Sequence, residues 1–306
     1  MDAPLPSGEQ YDIAAGDYHA VAVEAGGGLR ELTYAGRPLV EGYPPEALAD
    51  GGRGQVLAPW PNRVRDGRWT WEGRELQLAL SEPAKGNASH GLVRWAGWGA
   101  TDRSPERVVL THRLHPQPGY PFTLDLRITY ELDAATGLTV GLAARNPGPD
   151  PAPVALGMHP YLAAPGGGLV DGCTLQVPAS TRVLVDERSL PTGTEPVADT
   201  PYDLRSPRAL KELELDTAYT DLSADGDGRV RVRFAAEDGT GAELWTQAPA
   251  RWLQVFTGDA LPITRRRRGV AVEPMTAPAN ALATGEGLTV LAPGESLTLR
   301  WGILAR

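Results

Sequence analysis

The sequence predicts an all-β protein, a large antiparallel β-sandwich with few helices. Apolar and polar residues alternate with period two in several segments, as they do in strands that bury one face. The 36 glycines and 28 prolines are spread along the chain and mark frequent turns between these segments. A helical period of 3.6 residues is scarce, so we expect sheets to pack against sheets rather than against helices.

Individual strands and turns can be placed from this alternation. TLDLRITYEL (123–132) puts five apolar side chains on one face, namely Leu124, Leu126, Ile128, Tyr130 and Leu132. RVRVRF (229–234) and SLTLRWGIL (296–304) repeat the pattern. RWTWEGRELQL (68–78) predicts a hairpin that turns at Glu72-Gly73. Only PPEALAD (44–50) suggests a short helix, of a turn or two.

The chain has one candidate domain boundary, PGPDPAP (147–153). Strand patterns of the same kind continue on both sides of it, so we interpret it as a loop between strands. DGDG (225–228) is expected to form a tight turn, because no glutamate follows at the spacing of a calcium loop. We therefore expect a single domain over residues 1–306.

Composition limits the classes of partner and location. The net charge of −9 argues against nucleic acid as a partner. No apolar run approaches the roughly 20 residues that span a bilayer, and MDAPLPSGEQ has no signal-peptide pattern. The lone cysteine, Cys173, excludes an internal disulfide and fits a reducing compartment. We expect a cytoplasmic protein that binds neither membranes nor nucleic acid; the oligomeric state is left open.

Motifs for several kinds of chemistry are absent from the sequence. It contains no HxH, no HExxH and no second cysteine, so no metal site is predicted. It contains no GxGxxG, no phosphate-binding P-loop and no GxSxG, which disfavours nucleotide cofactors and acyl-enzyme chemistry. The remaining hypothesis is acid–base chemistry on a polar ligand, without a cofactor.

Polar residues at strand ends are the candidates for that chemistry. His90 precedes Gly91, which permits close approach of a ligand, and His159 precedes Pro160 at the end of an apolar run. Glu273 follows the apolar segment Val-Ala-Val, where a plain strand end is the simpler explanation. Further candidates are Asn62, Arg63 and Asp216.

Tryptophans are abundant, with eight in the chain. Trp60, Trp95 and Trp98 lie close in sequence to Arg63 and His90. Their flat rings can stack on the apolar faces of sugars, although a tryptophan more often belongs to the core.

Seven segments together resemble the aldose 1-epimerase (galactose mutarotase) family. In chain order they are APWPNRVRDGRW, SHGLVRWAGW, QPGYPFTLDLRITYEL, ALGMHPYL, LDTAYTDL, LQVFTGD and RRRRGVAVEPMTAPANAL. The resemblance covers nearly the whole chain. It implies a galactose mutarotase-like β-sandwich (a supersandwich) with a monosaccharide bound in an open cleft on a concave sheet. It also implies interconversion of the α and β anomers of free aldoses such as galactose or glucose.

The resemblance also implies roles for individual residues. Glu273 corresponds to the general base of the family and His159 to the general acid. Arg63, His90 and Asp216 correspond to residues that bind and polarise the sugar. Asn62 precedes that arginine, as an asparagine commonly does in the family, and Gln254 corresponds to a further binding residue; both are expected to contact the substrate. The segment LDTAYTDL also contains Asp221, but its spacing favours Asp216.

The four arginines from Arg265 to Arg268 leave the substrate open. A run of charges is most often a solvated loop, but it can also clamp a phosphate or keep Glu273 ionised. One alternative is therefore a hexose-phosphate (glucose 6-phosphate) 1-epimerase. Others are a non-catalytic carbohydrate-binding domain of the same fold, and a glycosidase that uses Glu273 and Asp216.

Overall fold

The chain folds into antiparallel β-sheets with very little helix. The computed structural model describes residues 4–306, so the first three residues of MDAPLPSGEQ lie outside the described residues. Strands account for about 50% of the chain and helices for 4%, which confirms the predicted all-β class.

The chain forms twenty-seven strands within the described residues. β1 to β9 span Gln10–Ala15, Tyr18–Val23, Leu29–Tyr34, Arg37–Pro38, Val56–Leu57, Arg63–Arg65, Arg68–Trp71, Arg74–Gln77 and Asn87–Ser89. β10 to β18 span Gly99–Ser104, Arg107–Leu114, Leu124–Asp133, Gly137–Arg145, Ala152–Val154, Gly157–Met158, Tyr161–Ala163, Cys173–Gln176 and Ala179–Val185. β19 to β27 span Pro191–Pro196, Arg208–Ala209, Asp216–Leu222, Arg229–Ala236, Gly241–Gln247, Trp252–Phe256, Gly269–Met275, Thr289–Leu291 and Ser296–Ala305. The α-helix α1 is Ala281–Thr284, and 3₁₀ turns are Pro83–Lys85, Pro165–Gly167 and Val170–Gly172.

Most strands belong to three sheets. The first has four strands in the order β1-β2-β3-β4. The second has nine, β10-β11-β12-β13-β27-β23-β22-β17-β20. The third has eight, β19-β18-β21-β24-β25-β15-β5, with β16 also paired to β25. One hydrophobic cluster contains buried residues from all three sheets.

The nine-stranded sheet follows the sequence prediction closely. Along β12 the residues from Leu124 to Leu132 alternate between buried and accessible, and β22 and β27 do the same over most of their length. The predicted hairpin forms between β7 and β8, and residues 225–228 form a tight turn in which Gly228 N donates to Asp225 O. These elements confirm that period-two alternation identifies the strands.

The predicted short helix at PPEALAD is wrong, because residues 44–50 form turns and irregular backbone. Pro44 and Pro45 contribute no amide donors, and Gly51 and Gly52 follow with φ of 58° and 79°. Prolines are compatible with a first helical turn, but the glycines with positive φ prevent the turn from continuing. The α-helix α1 begins instead at Ala281, at the end of the last segment of the family resemblance.

β25 in the eight-stranded sheet is buried along its whole length, from Gly269 to Met275. The proline that follows Glu273 does not end the pairing with β24, because Leu253 pairs with Pro274 and Trp252 with Met275. Amides of Val272 and Thr276 point to the other neighbour, donating to Pro160 O and Leu156 O. By alternation the nitrogen of Pro274, which carries no hydrogen, faces that same side. The hydrogen-bond ladder that β15 and β16 form with β25 is interrupted there, so the strand tolerates the proline.

Candidate active site

The structure brings all seven candidate residues of the sequence together in one cleft. The cleft has a volume of about 530 Å³ and opens on the eight-stranded sheet. Its lining includes Asn62, Arg63, His90, His159, Asp216, Gln254 and Glu273. These residues come from β6, β21, β24, β25 and the turns beside them, so the cleft is assembled from distant parts of the chain.

The floor of the cleft is a buried contact between His159 and Glu273. Their side chains meet with Nε2 of His159 3.3 Å from Oε1 of Glu273. The two residues are only 5% and 2% exposed, and Oε2 of Glu273 has no partner among the described residues. A carboxyl oxygen and an imidazole nitrogen in this arrangement can exchange a proton with each other and with a small ligand above them.

Backbone geometry explains how these two side chains meet. Glu273 lies on β25 directly opposite Gln254 on β24. On the other side of β25, Gly157 pairs with Met275 and Tyr161 with Ala271, and this common register places His159 opposite Glu273. The two side chains are therefore cross-strand neighbours on one face of the sheet. Pro160 and Pro274 have no amides, so the hydrogen-bond ladder is interrupted at this point although the register continues.

A chain of hydrogen bonds connects the polar groups around the floor. The Arg63 guanidinium donates 3.2 Å to Oδ1 of Asn62, whose amide donates 3.3 Å to Oε1 of Gln254. Gln254 in turn donates 2.7 Å to Oδ1 of Asp216. Because each amide uses both ends in this chain, the orientation of Asn62 and Gln254 is fixed before any ligand binds.

His90 lies beside the floor in a strained backbone conformation, with φ of 59°. Its ring meets that of His159 edge-on, with 5.5 Å between the ring centroids. The amide of Asn62 donates 3.2 Å to Nδ1 of His90. This bond assigns the remaining proton of a neutral ring to Nε2, which can therefore donate to a hydroxyl.

The electrostatics of the floor differ from the sequence expectation. Burial raises the pKa of Glu273 well above its usual range, Asp216 raises it further, and Arg63 opposes both. Burial, with the charges of Arg94, Arg53 and Arg63, lowers the pKa of His159 to about 3. The shift in the pKa of Glu273 is opposite to the one expected if the arginine run kept it ionised. Desolvation is the largest cause of both shifts, and at His159 the arginine charges add to it.

The cleft also contains residues that sequence reasoning missed. Glu82 accepts two hydrogen bonds from Arg63, at 2.8 and 3.0 Å, and thereby fixes its guanidinium. Arg94 and Lys85 add positive charge to the lining. The signal in the sequence for Arg94 is its place inside the motif segment SHGLVRWAGW. Nothing in the local sequence pattern identifies Glu82 or Lys85 as residues of the site.

Of the tryptophans and aspartates considered from the sequence, some line the cleft and others do not. Trp60 and Trp98 are buried core residues, whereas Trp95 is 56% exposed and lines the cleft. Of the two aspartates in β21, Asp216 lies in the cleft, and Asp221 is not among the residues that line it.

The arginine run lies outside the cleft lining. Arg267 is buried and binds Asp171, Asp259 and two backbone carbonyls, so the expectation of a fully solvated run is wrong. Arg265 and Arg268 approach Glu41 at 3.5 and 3.7 Å. Three of the four arginines are therefore held by acidic residues and carbonyls of neighbouring loops, and Arg266 is exposed.

Two further properties concern the described residues as a whole. Between residues 4 and 306, no group of three His, Cys, Asp or Glu side chains converges as a metal site would require. In the same part of the chain, none of the helices has the length and apolar character needed to cross a membrane.

Comparison with known proteins identifies the family. The family profile described as "Aldose 1-epimerase" matches residues 9–303. The chain belongs to the aldose 1-epimerase family. The resemblance inferred from the seven sequence segments is thereby confirmed.

Individual members of the aldose 1-epimerase family resemble the chain to different degrees. It is 36% identical over 297 residues to the uncharacterized protein YihR of Escherichia coli (strain K12), covering 97% of this chain and 93% of that protein. It is 30% identical over 237 residues to the galactose mutarotase of Sus scrofa, covering 72% of this chain and 66% of the relative.

Solved structures share the fold. The GalM/aldose epimerase homologue from C. elegans superposes with a TM-score of 0.85 at 21% identity, covering 97% of this chain and 99% of that chain. The galactose 1-epimerase from Lactobacillus acidophilus NCFM gives 0.81 at 21% identity, covering 97% and 94%. At this level of identity the likeness establishes the galactose mutarotase-like fold and nothing finer.

Proposed function

We propose that this protein is an aldose 1-epimerase that interconverts the α and β anomers of a free aldose by opening and closing the sugar ring. Glu273 acts as the general base and His159 as the general acid. Arg63, His90 and Asp216 bind the sugar, with Asn62 and Gln254 holding them in place. The reaction needs two proton transfers and no cofactor.

One observation carries the proposal, the 3.3 Å contact between Nε2 of His159 and Oε1 of Glu273 on the cleft floor. Ring opening removes a proton from the anomeric hydroxyl and delivers one to the ring oxygen. Both oxygens are bonded to the same carbon, C1, so the base and the acid must face a single atom from neighbouring positions. Two groups in contact on the floor of one cleft meet that requirement.

The reaction then proceeds without net consumption of protons. Glu273 takes the proton of the anomeric hydroxyl while His159 protonates the ring oxygen, and the C1–O5 bond breaks to give the aldehyde. Rotation about C1–C2 presents the other face of the carbonyl. The same groups, working in reverse, close the ring as the opposite anomer, and each transfer contributes roughly 10²–10⁴-fold.

The resting protonation state fits this cycle. Because the pKa of Glu273 is raised and that of His159 is lowered, a single proton shared by the pair in the empty cleft lies on the carboxyl. The form that reacts, a carboxylate beside an imidazolium, contains the same single proton on the other partner. Transfer of this proton from Oε1 of Glu273 to Nε2 of His159, 3.3 Å away, gives the reacting form. Ring opening from that form leaves Glu273 protonated and His159 neutral, and ring closure reverses both transfers, so no proton enters from solvent.

Anomerisation of freshly dissolved α-glucose and α-galactose, followed by polarimetry, tests the proposal. The wild-type protein should accelerate it, and Glu273→Gln and His159→Asn should fold normally but lose about 10²–10⁴-fold in rate. Wild-type rates in both variants would exclude the assigned roles. Sugar binding by calorimetry without anomerisation would favour a carbohydrate-binding domain, and release of sugar from an aryl glycoside would favour a glycosidase.

A second candidate substrate is a sugar phosphate, and it is favoured by the positive charges in the cleft. The guanidinium of Arg94 forms no ion pair with any of the residues 4–306, and its charge lies close enough to lower the pKa of both His90 and His159. Lys85 stands in the same lining. An unpaired guanidinium and an ammonium are suited to a phosphate group. The arginine run, first considered for this role, is engaged elsewhere.

Rates on glucose and glucose 6-phosphate distinguish the two substrate classes. A phosphosugar epimerase should prefer the phosphate, and Arg94→Met should lower kcat/KM for glucose 6-phosphate about tenfold or more while leaving that for glucose nearly unchanged. Equal losses on both sugars would assign Arg94 to general sugar binding and favour the free aldose.

A further inference from the structure

A buried arginine, Arg53, lies behind the floor of the cleft and takes no part in the mechanism above. It is 1% exposed, and its polar contacts are limited to Asp50, through the backbone carbonyl at 3.2 Å and through the carboxylate. Its Nε and Nη2 have no partner among the described residues. A buried charge with two unused donors is costly, which indicates a role that offsets the cost.

Arg53 belongs to a stack that ends on His159. The ring of Tyr161 lies nearly parallel to the imidazole of His159, with an interplanar angle of 10° and 5.0 Å between centroids. The guanidinium carbon of Arg53 lies 5.0 Å from the centroid of the same tyrosine ring. A cation over an aromatic face is attracted to it, so Arg53 holds Tyr161 in place.

The loop that carries Arg53 is closely fitted to the histidine. In the stretch 51–54 only Arg53 has a side chain, and the three glycines have φ of 58°, 79° and 65°. A Cβ on Gly52 would lie 2.6 Å from Cδ2 of His159, and Gly54 N donates 2.9 Å to the His159 carbonyl. The hydroxyl of Tyr161 donates 2.8 Å to Gly51 O. The backbone of this loop therefore packs directly on the imidazole.

The arginine run is connected to this loop. Nε of Arg265 lies 3.8 Å from Oδ2 of Asp50, which also contacts Arg53. Arg265 lies 3.5 Å from Glu41 as well. The acidic anchor of Arg53 is thus itself held by the loop that contains the run.

We propose that Arg53 is a positioning residue for the anomerisation reaction: it holds Tyr161 and the imidazole of His159 in the orientation that faces Glu273. It acts through these two rings and does not touch the sugar. The proposal rests on the proposed function, because it assigns a task to His159.

The charged groups that face His159 determine the pH dependence. Arg53, Arg63 and Arg94 each oppose a second proton on the Glu273–His159 pair, as does burial, and His90 lies at its edge. Removing Arg53 should raise the pKa of His159. Activity is lost when the pair takes up its second proton as the pH falls, so this acid limb should begin at a higher pH in the variant.

Arg53→Met tests the proposal, because it keeps an apolar chain of similar length and removes the charge. We expect kcat to fall about tenfold at neutral pH with KM within about twofold, and the acid limb to move to higher pH. Arg53→Lys should restore the position of the acid limb and part of kcat. Arg30→Met is the matched control, since Arg30 is also buried with an unpartnered Nε and one backbone acceptor, and it should leave the pH profile unchanged.

A folded Arg53→Met protein with the wild-type kcat and acid limb would overturn the proposal, as would equal changes in Arg53→Met and Arg30→Met. If Arg53→Met fails to fold, Tyr161→Leu replaces it, and an unchanged kcat there contradicts the stacking role. If the wild-type protein anomerises no sugar, the proposed function fails by itself. NMR titration of His159, assigned with His159→Asn, then decides whether Arg53→Met raises its pKa.

Discussion

The nine-stranded and eight-stranded sheets use the same antiparallel pairing to different ends. In the nine-stranded sheet β12 and β13 pair without a break from Asp125↔Arg145 to Asp133↔Gly137. In the eight-stranded sheet β25 pairs on one side with two short strands, β16 and β15, and His159 lies in the gap between them. The regular ladder supports the fold, whereas in the interrupted ladder the cross-strand neighbours His159 and Glu273 form the buried floor of the cleft.

The two sheets also differ in how they bury a glutamate. Glu243 in β23 is 2% exposed but contacts three arginines, with Arg231 and Arg233 at 3.2 and 3.1 Å and Arg306 beside them. Glu273 in β25 is equally buried and meets a neutral histidine. A compensated carboxylate stabilises a structure, whereas an uncompensated one has a displaced pKa and is available for proton transfer.

The largest expected effect comes from exchanging these two glutamates for glutamine. Glu273→Gln should lower the rate by the factor given above and should change the free energy of unfolding little. A neutral amide does not carry the desolvation penalty of a buried acidic group. Glu243→Gln should leave the rate unchanged and lower the free energy of unfolding by about 1–3 kcal/mol, since its partners are partly exposed. Urea denaturation and polarimetry on both variants measure this; a slow, stable Glu243→Gln protein would contradict the division of roles.

A core truncation in the regular sheet should affect stability alone. Leu142 on β13 is fully buried and lies between Ile128 on β12 and Leu299 on β27. Leu142→Ala should lower the free energy of unfolding by about 2–5 kcal/mol through lost burial and the cavity left behind. The anomerisation rate of the folded fraction should stay at the wild-type value. A reduced rate at temperatures well below the unfolding midpoint would mean that the two sheets are coupled.

The smallest effect is expected from Glu82, which holds Arg63 at the rim of the cleft. Glu82→Gln removes the charge from a bidentate pair, so Arg63 becomes less ordered and KM should rise about tenfold with kcat within about threefold. Glu195→Gln is the matched control, because Glu195 binds Arg182 at 2.6 Å outside the cleft lining. Unchanged KM in Glu82→Gln would show that Asn62 alone orients Arg63.

Much of the architecture was determined by the sequence itself. The alternation of apolar residues from Leu124 to Leu132 and in residues 229–234 predicted strands of the regular sheet, because one face of each strand is buried and the other is not. The seven motif segments identified the family and the seven side chains that line the cleft. The sequence is sufficient for such inferences, since the periodicity of apolar residues and the order of motifs are properties of the sequence itself.

Only the tertiary structure decided how those residues act on one another. The pKa shifts of Glu273 and His159 arise from burial by strands far apart in the sequence, and no local pattern gives their direction. The local sequence likewise does not predict the ion pair between Glu82 and Arg63, the burial of Arg267, or the contact of the Arg53 guanidinium with the ring of Tyr161. Desolvation and ion pairing depend on which side chains become neighbours. In this protein that is set by the register that places His159 opposite Glu273 and by the loops around them.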